Sequence, residues 1–348
     1  MPLTPGSRIG AYEITATLGA GGMGAVSRAR DTRLGRAVAL KVILETFASD
    51  AERIARFERE AKMLAALNHP RIAGLYGMEQ ADGQHFLVME LVEGETLAER
   101  LRRGPMSVEE ALALGLQIAE ALEAAHEKGV IHRDLKPANV KITPEQQIKV
   151  LDFGLAKAIE NEASSADMAN SPTLSMMATQ AGVILGTAAY MSPEQAKGRI
   201  ADRRSDVWAL GCVLFEMLAG RRAFEGEDLS DTLAAVLRGD PDWSSLPAST
   251  PAHVVEVLKR CLTRDRKDRI PEVSVVRYLL EAPAQSAGAG GAAPVRRRTL
   301  PLVAAALAGA VIVAGAGWPL LTREGPPRVP ARFRMEIDTM LPFGRFES

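Results

Sequence analysis

The sequence predicts an α+β protein of two lobes, a small strand-rich one followed by a large helical one, with a single apolar segment behind them. Three features predict it. A glycine-interrupted hairpin opens the chain, apolar runs of period two are confined to about the first 90 residues, and apolar runs of helical period dominate from Ser107 onward.

The elements follow in order. Residues 9–30 read as a hairpin and 37–42 as an alternating strand. Over 49–68, Ile54, Phe57, Ala61 and Leu64 recur at helical spacing, which predicts an amphipathic helix. Short strands are predicted at 75–79 and 85–90. Helices follow at 107–128, 205–219, 228–238, 251–262 and 273–280, interrupted by strands at 140–142 and 148–150. Residues 158–183 are rich in Ser, Thr, Ala and Met without a period, the pattern of a long functional loop. Residues 282–295 read as a flexible linker, and no internal repeat is evident.

Composition narrows the function classes. The chain has 348 residues, 47% apolar and 24% charged, ordinary values for a globular protein. A net charge of −1 gives no field for a polyanion, so no nucleic-acid partner is expected. Cys212 and Cys261 sit in apolar helical runs and read as reduced buried thiols. The five histidines show no H-x-x-x-H spacing, so no zinc site is expected. The opening MPLTPGSRIGAYEI has no apolar signal-peptide core.

Gly19-Ala20-Gly21-Gly22-Met23-Gly24-Ala25-Val26 fits G-x-G-x-x-G-x-V between two strand-like runs. Glycines let backbone close over phosphates with N–H groups aimed at their oxygens. A dinucleotide fingerprint would need a helix directly afterwards, whereas 25–30 reads as strand. Lys41 ends the strand Val38-Ala39-Leu40-Lys41, where an ammonium can reach phosphate oxygens. It needs a carboxylate to hold it, and Glu60, beside the apolar face of the 49–68 helix, is the best placed. His132-Arg133-Asp134-Leu135-Lys136-Pro137-Ala138-Asn139 puts an Asp and an Asn five apart on a loop, a base and a metal ligand. Asp152-Phe153-Gly154 adds a carboxylate at a strand end, suited to Mg²⁺.

In this order and on these elements, the motifs resemble the protein kinase family over residues 9–280. Gly186-Thr187 before Ser192-Pro193-Glu194, the run Ser205-Asp206-Val207-Trp208-Ala209-Leu210-Gly211 and the late Arg269 complete the set. RFEREAKMLAALNHPRI and GTAAYMSPEQAKG look most like bacterial serine/threonine kinases of the eukaryotic-like type. The resemblance implies a bilobal kinase-like fold over 9–281, with lobes 9–92 and 93–281 behind a tail of residues 1–8. It implies ATP with Mg²⁺, Mn²⁺ serving as a substitute, and protein Ser/Thr hydroxyls as acceptors. Leu18, Gly19, Ala20, Gly21, Gly22, Met23, Gly24, Val26 and Ala39 would line the nucleotide site. Met89 would be the gatekeeper, and Glu90 to Val92 the hinge that bonds adenine through backbone. Lys41, held by Glu60, would grip the α- and β-phosphates, and Asp152 and Asn139 would hold the metal. Asp134 would accept the substrate proton, Lys136 would neutralise the γ-phosphoryl, and Thr187 would position the acceptor. Glu194 would pair with Arg269, and Asp206 would bond the catalytic-loop backbone. Ser192 stands where the family usually has Ala. Arg133 would receive a phosphate on the activation loop, Thr179 first, with Thr173, Ser171 and Ser175 as weaker candidates. Relatives of this class often dimerise through the N-terminal lobe. A membrane scaffold that binds ATP without transferring it, and a small-molecule phosphotransferase, are the competing readings. The intact catalytic residues oppose the first and the 186–194 segment opposes the second.

Residues 299–322 carry no charge, and 24 helical residues span about 36 Å against a hydrocarbon core of ~30 Å. Pro301 and Pro319 trim this to 302–318, about 26 Å. Arg296, Arg297 and Arg298 precede it, which predicts one transmembrane helix with the catalytic domain cytoplasmic and 282–298 as juxtamembrane linker. That reading places the protein in the inner membrane. Residues 323–348 would be an extracytoplasmic tail resembling the start of a larger sensor domain.

Overall fold

The structure, a computed structural model, describes residues 4–21, 24–43, 51–81, 83–153 and 187–281, all within one unit, residues 1–285. Side chains at 20–21 and 51–57 are outside that description, Ile54 and Phe57 among them. So are Gly22, Met23, Gly154, Gly186, the predicted 158–183 loop, Thr179, Thr173, Ser171, Ser175, and the linker, membrane helix and tail predicted beyond residue 281.

The first lobe is one antiparallel sheet of six strands with a helix against it. Strands β1 (Arg8–Ile9), β2 (Tyr12–Gly21), β3 (Gly24–Asp31), β4 (Ala37–Val42), β5 (Leu75–Ala81) and β6 (Gln84–Glu90) lie in the order β1-β2-β3-β4-β6-β5. Period-two alternation turns Ile14, Ala29, Val38, Leu40, Phe86 and Val88 to one face, where Tyr12 meets Phe86 edge-on at 5.7 Å. Helix α1 (Ala51–Ala65) covers the other face, placing Ala61 against Leu87.

The second lobe is helical. Its small sheet β7 (Glu95–Thr96), β8 (Val140–Ile142) and β9 (Ile148–Val150) lies at the junction of the lobes. Helices α2 (Leu97–Leu101), α3 (Val108–Glu127), α4 (Pro193–Ala196), α5 (Arg203–Ala219), α6 (Leu229–Arg238), α7 (Ala252–Cys261) and α8 (Val273–Glu281) follow. Ser107 caps α3, its hydroxyl accepting the Glu110 N–H. Helix α5 is apolar from Val207 to Leu218 except at Glu216, because it is the central element of the lobe. It approaches α3 closely: a Cβ on Gly115 would lie 2.3 Å from Leu214 Cδ2, so any larger residue would have to displace that side chain. The expected helices occur with ends shifted by up to three residues, the largest at the C-terminal end of α1. The short α2 and α4 and the 3₁₀ turn Pro137–Asn139 were not predicted.

One buried pair ties the lobe together. Arg269 gives Glu194 two bonds, Nη1 to Oε1 at 2.8 Å and Nη2 to Oε2 at 3.0 Å. Its other donors meet the carbonyls of Thr263, Arg204 and Arg264, so all five guanidinium N–H groups are used. Its plane lies over Trp208, itself stacked on Phe224. Burial alone would raise the Glu194 carboxyl, but the Arg269 bonds and charge and the Ser205 hydroxyl bring it down to about 2. Its stabilising contribution is therefore full above the ordinary carboxylate range and is lost as pH falls toward about 2. Arg269→Met strands a buried carboxylate and is expected to cost about 3–5 kcal/mol. Thermal unfolding should show a fall in Tm of about 10 °C, and a Tm within 2 °C of wild type would contradict the assigned role.

Candidate active site

The cleft between the lobes gathers the residues that the motifs singled out. Above it, β2 and β3 pair Gly19 with Val26, Ala20 with Ala25 and Gly21 with Gly24. Strand thus follows the glycine run, which removes the dinucleotide alternative. Gly24 has φ 130°, and a Cβ there would sit 2.0 Å from the Val42 carbonyl oxygen, so no side chain is tolerated. Leu18 is exposed at the mouth of the cleft, Ala39 is buried, and Met89 packs on the Ala61–Leu87 cluster. Val92 is buried just beyond β6.

Below the cleft, the loop from His132 to Asn139 is fixed by Asp206, a fully buried carboxylate near the start of α5. Its Oδ2 accepts the His132 N–H at 2.8 Å and its Oδ1 the Arg133 N–H at 2.9 Å, while His126 Nε2 lies 2.7 Å from Oδ2. These bonds hold Arg133 at φ 64°, a left-handed conformation that a non-glycine residue adopts only under constraint. His132 Nδ1 accepts the Asp134 N–H, so the ring proton sits on Nε2 and is donated to the Leu151 carbonyl. Burial pushes the His132 pKa below its usual value, which keeps the ring neutral and this tautomer in place. Phe153 packs on the ring at 4.6 Å.

The reacting groups converge. Lys136 Nζ donates to Asp134 Oδ2 at 2.8 Å and to Thr187 Oγ1 at 3.0 Å. The Asn139 amide donates to the Asp134 carbonyl at 2.8 Å and to its carboxylate at 3.2 Å. With its N–H groups so committed, Asn139 presents its amide oxygen as the atom for a cation. Together with the Asp152 carboxylate this is an all-oxygen donor set that suits Mg²⁺.

In this arrangement Lys41 and Glu60 each face a partner other than the expected one. Lys41 Nζ bonds Asp152 Oδ2 at 3.0 Å, and Glu60 Oε1 lies 3.5 Å from Arg133 Nη1. Asp152 has φ 50°, which turns its carboxylate up to Lys41, and α1 carries Glu60 to the catalytic loop instead of β4. Sequence spacing identified all four residues but not which cation each carboxylate takes. Lys149 was missed altogether. It lies on β9 and reaches Glu90 at 2.7 Å, and an alternate position on a three-residue strand gives no signal that would distinguish it from a solvated face.

Comparison with known proteins agrees with this geometry. The family model described as protein kinase domain matches residues 12–279. A probable serine/threonine-protein kinase of Streptomyces coelicolor is 40% identical over 280 residues, covering 78% of this chain and 40% of its own length. Serine/threonine-protein kinase PknA of Mycobacterium tuberculosis is 40% identical over 262 residues, covering 74% of this chain and 57% of its own. The chain therefore spans about half the length of these relatives. The crystallised kinase domain of Mycobacterium tuberculosis PknI superposes with a TM-score of 0.62 at 28% identity, over 80% of this chain and 98% of that one.

Proposed function

This chain belongs to the protein kinase family, and on that premise we propose that it transfers the γ-phosphoryl group of ATP to Ser/Thr hydroxyls of proteins. The observation that carries the reading is the chain of hydrogen bonds that links Asn139 to Asp134, Asp134 to Lys136 and Lys136 to Thr187. Asp134 takes the proton from the acceptor hydroxyl as its oxygen forms the bond to the γ-phosphorus. The bond to the β,γ-bridging oxygen breaks and ADP leaves. Lys136 balances charge on the moving group, and Thr187 holds the acceptor side of the cleft. Asp152 and Asn139 would hold Mg²⁺, or Mn²⁺ in its place, which would supply positive charge to the phosphates. Lys41 grips the α- and β-phosphates, and Leu18, the 19–26 strands, Ala39, Met89 and the hinge from Glu90 to Val92 enclose the nucleotide.

The partners of Glu60 and Lys41 support a regulatory reading. A phosphate on the activation loop, Thr179 first among Thr173, Ser171 and Ser175, competes with Glu60 for Arg133. Glu60 is then released to Lys41, and Asp152 to the metal. In support of a dimer formed through the first lobe, Leu34 is 67% exposed beside Arg36, which stacks on half-exposed Tyr76. Residues 299–322 anchor the chain in the inner membrane with the catalytic domain cytoplasmic, a reading that rests on their uncharged length and the arginines before them. Among the described residues no helix is long and apolar enough to cross a membrane.

Radiolabelled ATP with Mg²⁺ and a generic basic protein should give label transfer by wild type. Lys41→Met and Asp134→Asn should lose about 10² or more of that rate. Nucleotide binding without transfer by wild type would favour the scaffold reading instead.

Mass spectrometry of the active protein should find phosphate between residues 164 and 180. Leu34→Asp should slow its appearance at low protein concentration; an unphosphorylated 164–180 segment in active enzyme would refute this regulation.

Fractionation of expressing cells should recover the chain with membranes, and deletion of 299–322 should release it. Equal distribution of the two forms would remove the anchor.

A further inference from the structure

The Glu90 side chain joins three segments from both lobes. Glu90 ends β6, and its N–H donates to the Gly74 carbonyl at 2.8 Å. In an antiparallel ladder the returning Gly74 N–H would go to the Glu90 carbonyl. It goes instead to the carboxylate, at 3.0 Å from Oε2. Lys149 closes on the same carboxylate, 2.8 Å from Oε2 and 2.7 Å from Oε1. Neighbouring backbone reinforces the junction: the Ala73 N–H donates to the Val150 carbonyl and the Val150 N–H to the Arg71 carbonyl, both within 2.9 Å. Lys149 stands three residues before Asp152 on the same run of chain.

We infer that Glu90 and Lys149 are positioning residues that set the hinge for an adenine nucleotide. The carboxylate takes over the last rung of the β5–β6 ladder, so the Gly74 N–H is not committed to the Glu90 carbonyl. That carbonyl is kept for the 6-amino group of adenine; guanine presents an oxygen at the same position and would be repelled. Lys149 fixes the carboxylate in this role and ties the hinge to the strand that leads to Asp152. Both side chains are mostly covered, about a quarter exposed, so the charge-assisted bonds are only partly screened. The inference rests on the hinge reading of Glu90 to Val92 and adds the side-chain device that enforces it.

The test uses the full chain as wild type, Glu90→Ala, Glu90→Gln and Lys149→Met. Calorimetry gives Kd for ATP and for GTP, and hydrogen exchange of the Gly74 amide is followed without nucleotide. Glu90→Ala is expected to speed Gly74 exchange, weaken ATP about fivefold to tenfold and lower the ATP-over-GTP preference by a similar factor. Glu90→Gln, which keeps an oxygen for the Gly74 N–H, should retain most of that preference. Lys149→Met should move all readouts in the same direction by about threefold. Unchanged Gly74 exchange and nucleotide preference in folded Glu90→Ala would overturn the inference. Should that variant fail to fold, unchanged values in Lys149→Met would overturn it equally. If wild type binds no ATP, the kinase reading itself fails, while the exchange data still judge the junction.

Discussion

Asp206 holds the loop on which the reacting groups sit. Its two oxygens receive the N–H groups of His132 and Arg133 and face His126, all away from water. A buried carboxylate with this many donors is a stiff anchor, because losing any one bond leaves a polar group without solvent to replace it. The loop is thereby bent through a left-handed residue that it would not otherwise adopt. Asp134, Lys136 and Asn139 follow within six residues, and their separations are inherited from that bend. Arg269 and Glu194 serve the other side in the same way, setting α4 against the start of α5 and hence the position of Thr187.

The second lobe therefore presents a preorganised half-site, and the first lobe presents a movable one. Lys41 and the glycine strands belong to a sheet whose own core is separate from that of the helical lobe. Glu60 rides on α1, whose Ala61 packs against Leu87 of the sheet. Rigid chemistry below and adjustable grip above is the division expected where closure over a nucleotide, rather than the reacting groups themselves, is what regulation acts upon.

Much of this was legible in the sequence, for identifiable reasons. The strand period of 37–42 and the apolar run of α5 each report burial directly, so both were read correctly. The motif residues were legible because their spacing fixes which loop end or strand end they occupy. Partner choice was not. Lys41 is the expected cation for Glu60 and Arg133 the one it faces, and helical periodicity says which face Glu60 occupies but nothing about how far the helix is turned. The short α2 escaped because five residues carry too little periodicity. Its signal was the capping box Thr96-Leu97-Ala98-Glu99, whose reciprocal bonds the structure contains. Lys149 could not be read at all, since its importance lies in a contact 59 residues away.

The proposed exchange of ionic partners would need a third charge to drive it. Lys41, Arg133, Glu60 and Asp152 form two ion pairs in the arrangement seen, and moving Glu60 to Lys41 breaks both. Each of the four side chains is between 17% and 32% exposed, so a pair contributes on the order of 1 kcal/mol. Re-pairing Glu60 with Lys41 restores one such pair and leaves Arg133 and Asp152 with opposite unmet charges. Arg133 then favours an anion and Asp152 a cation. A difference of about 1.4 kcal/mol shifts an equilibrium tenfold, and a doubly charged phosphate on Arg133 together with a divalent metal on Asp152 exceeds that comfortably. Counting these four charges alone, the two pairings differ by about one such pair. On the proposed regulation, occupancy by phosphate, metal and nucleotide would decide which pairing prevails.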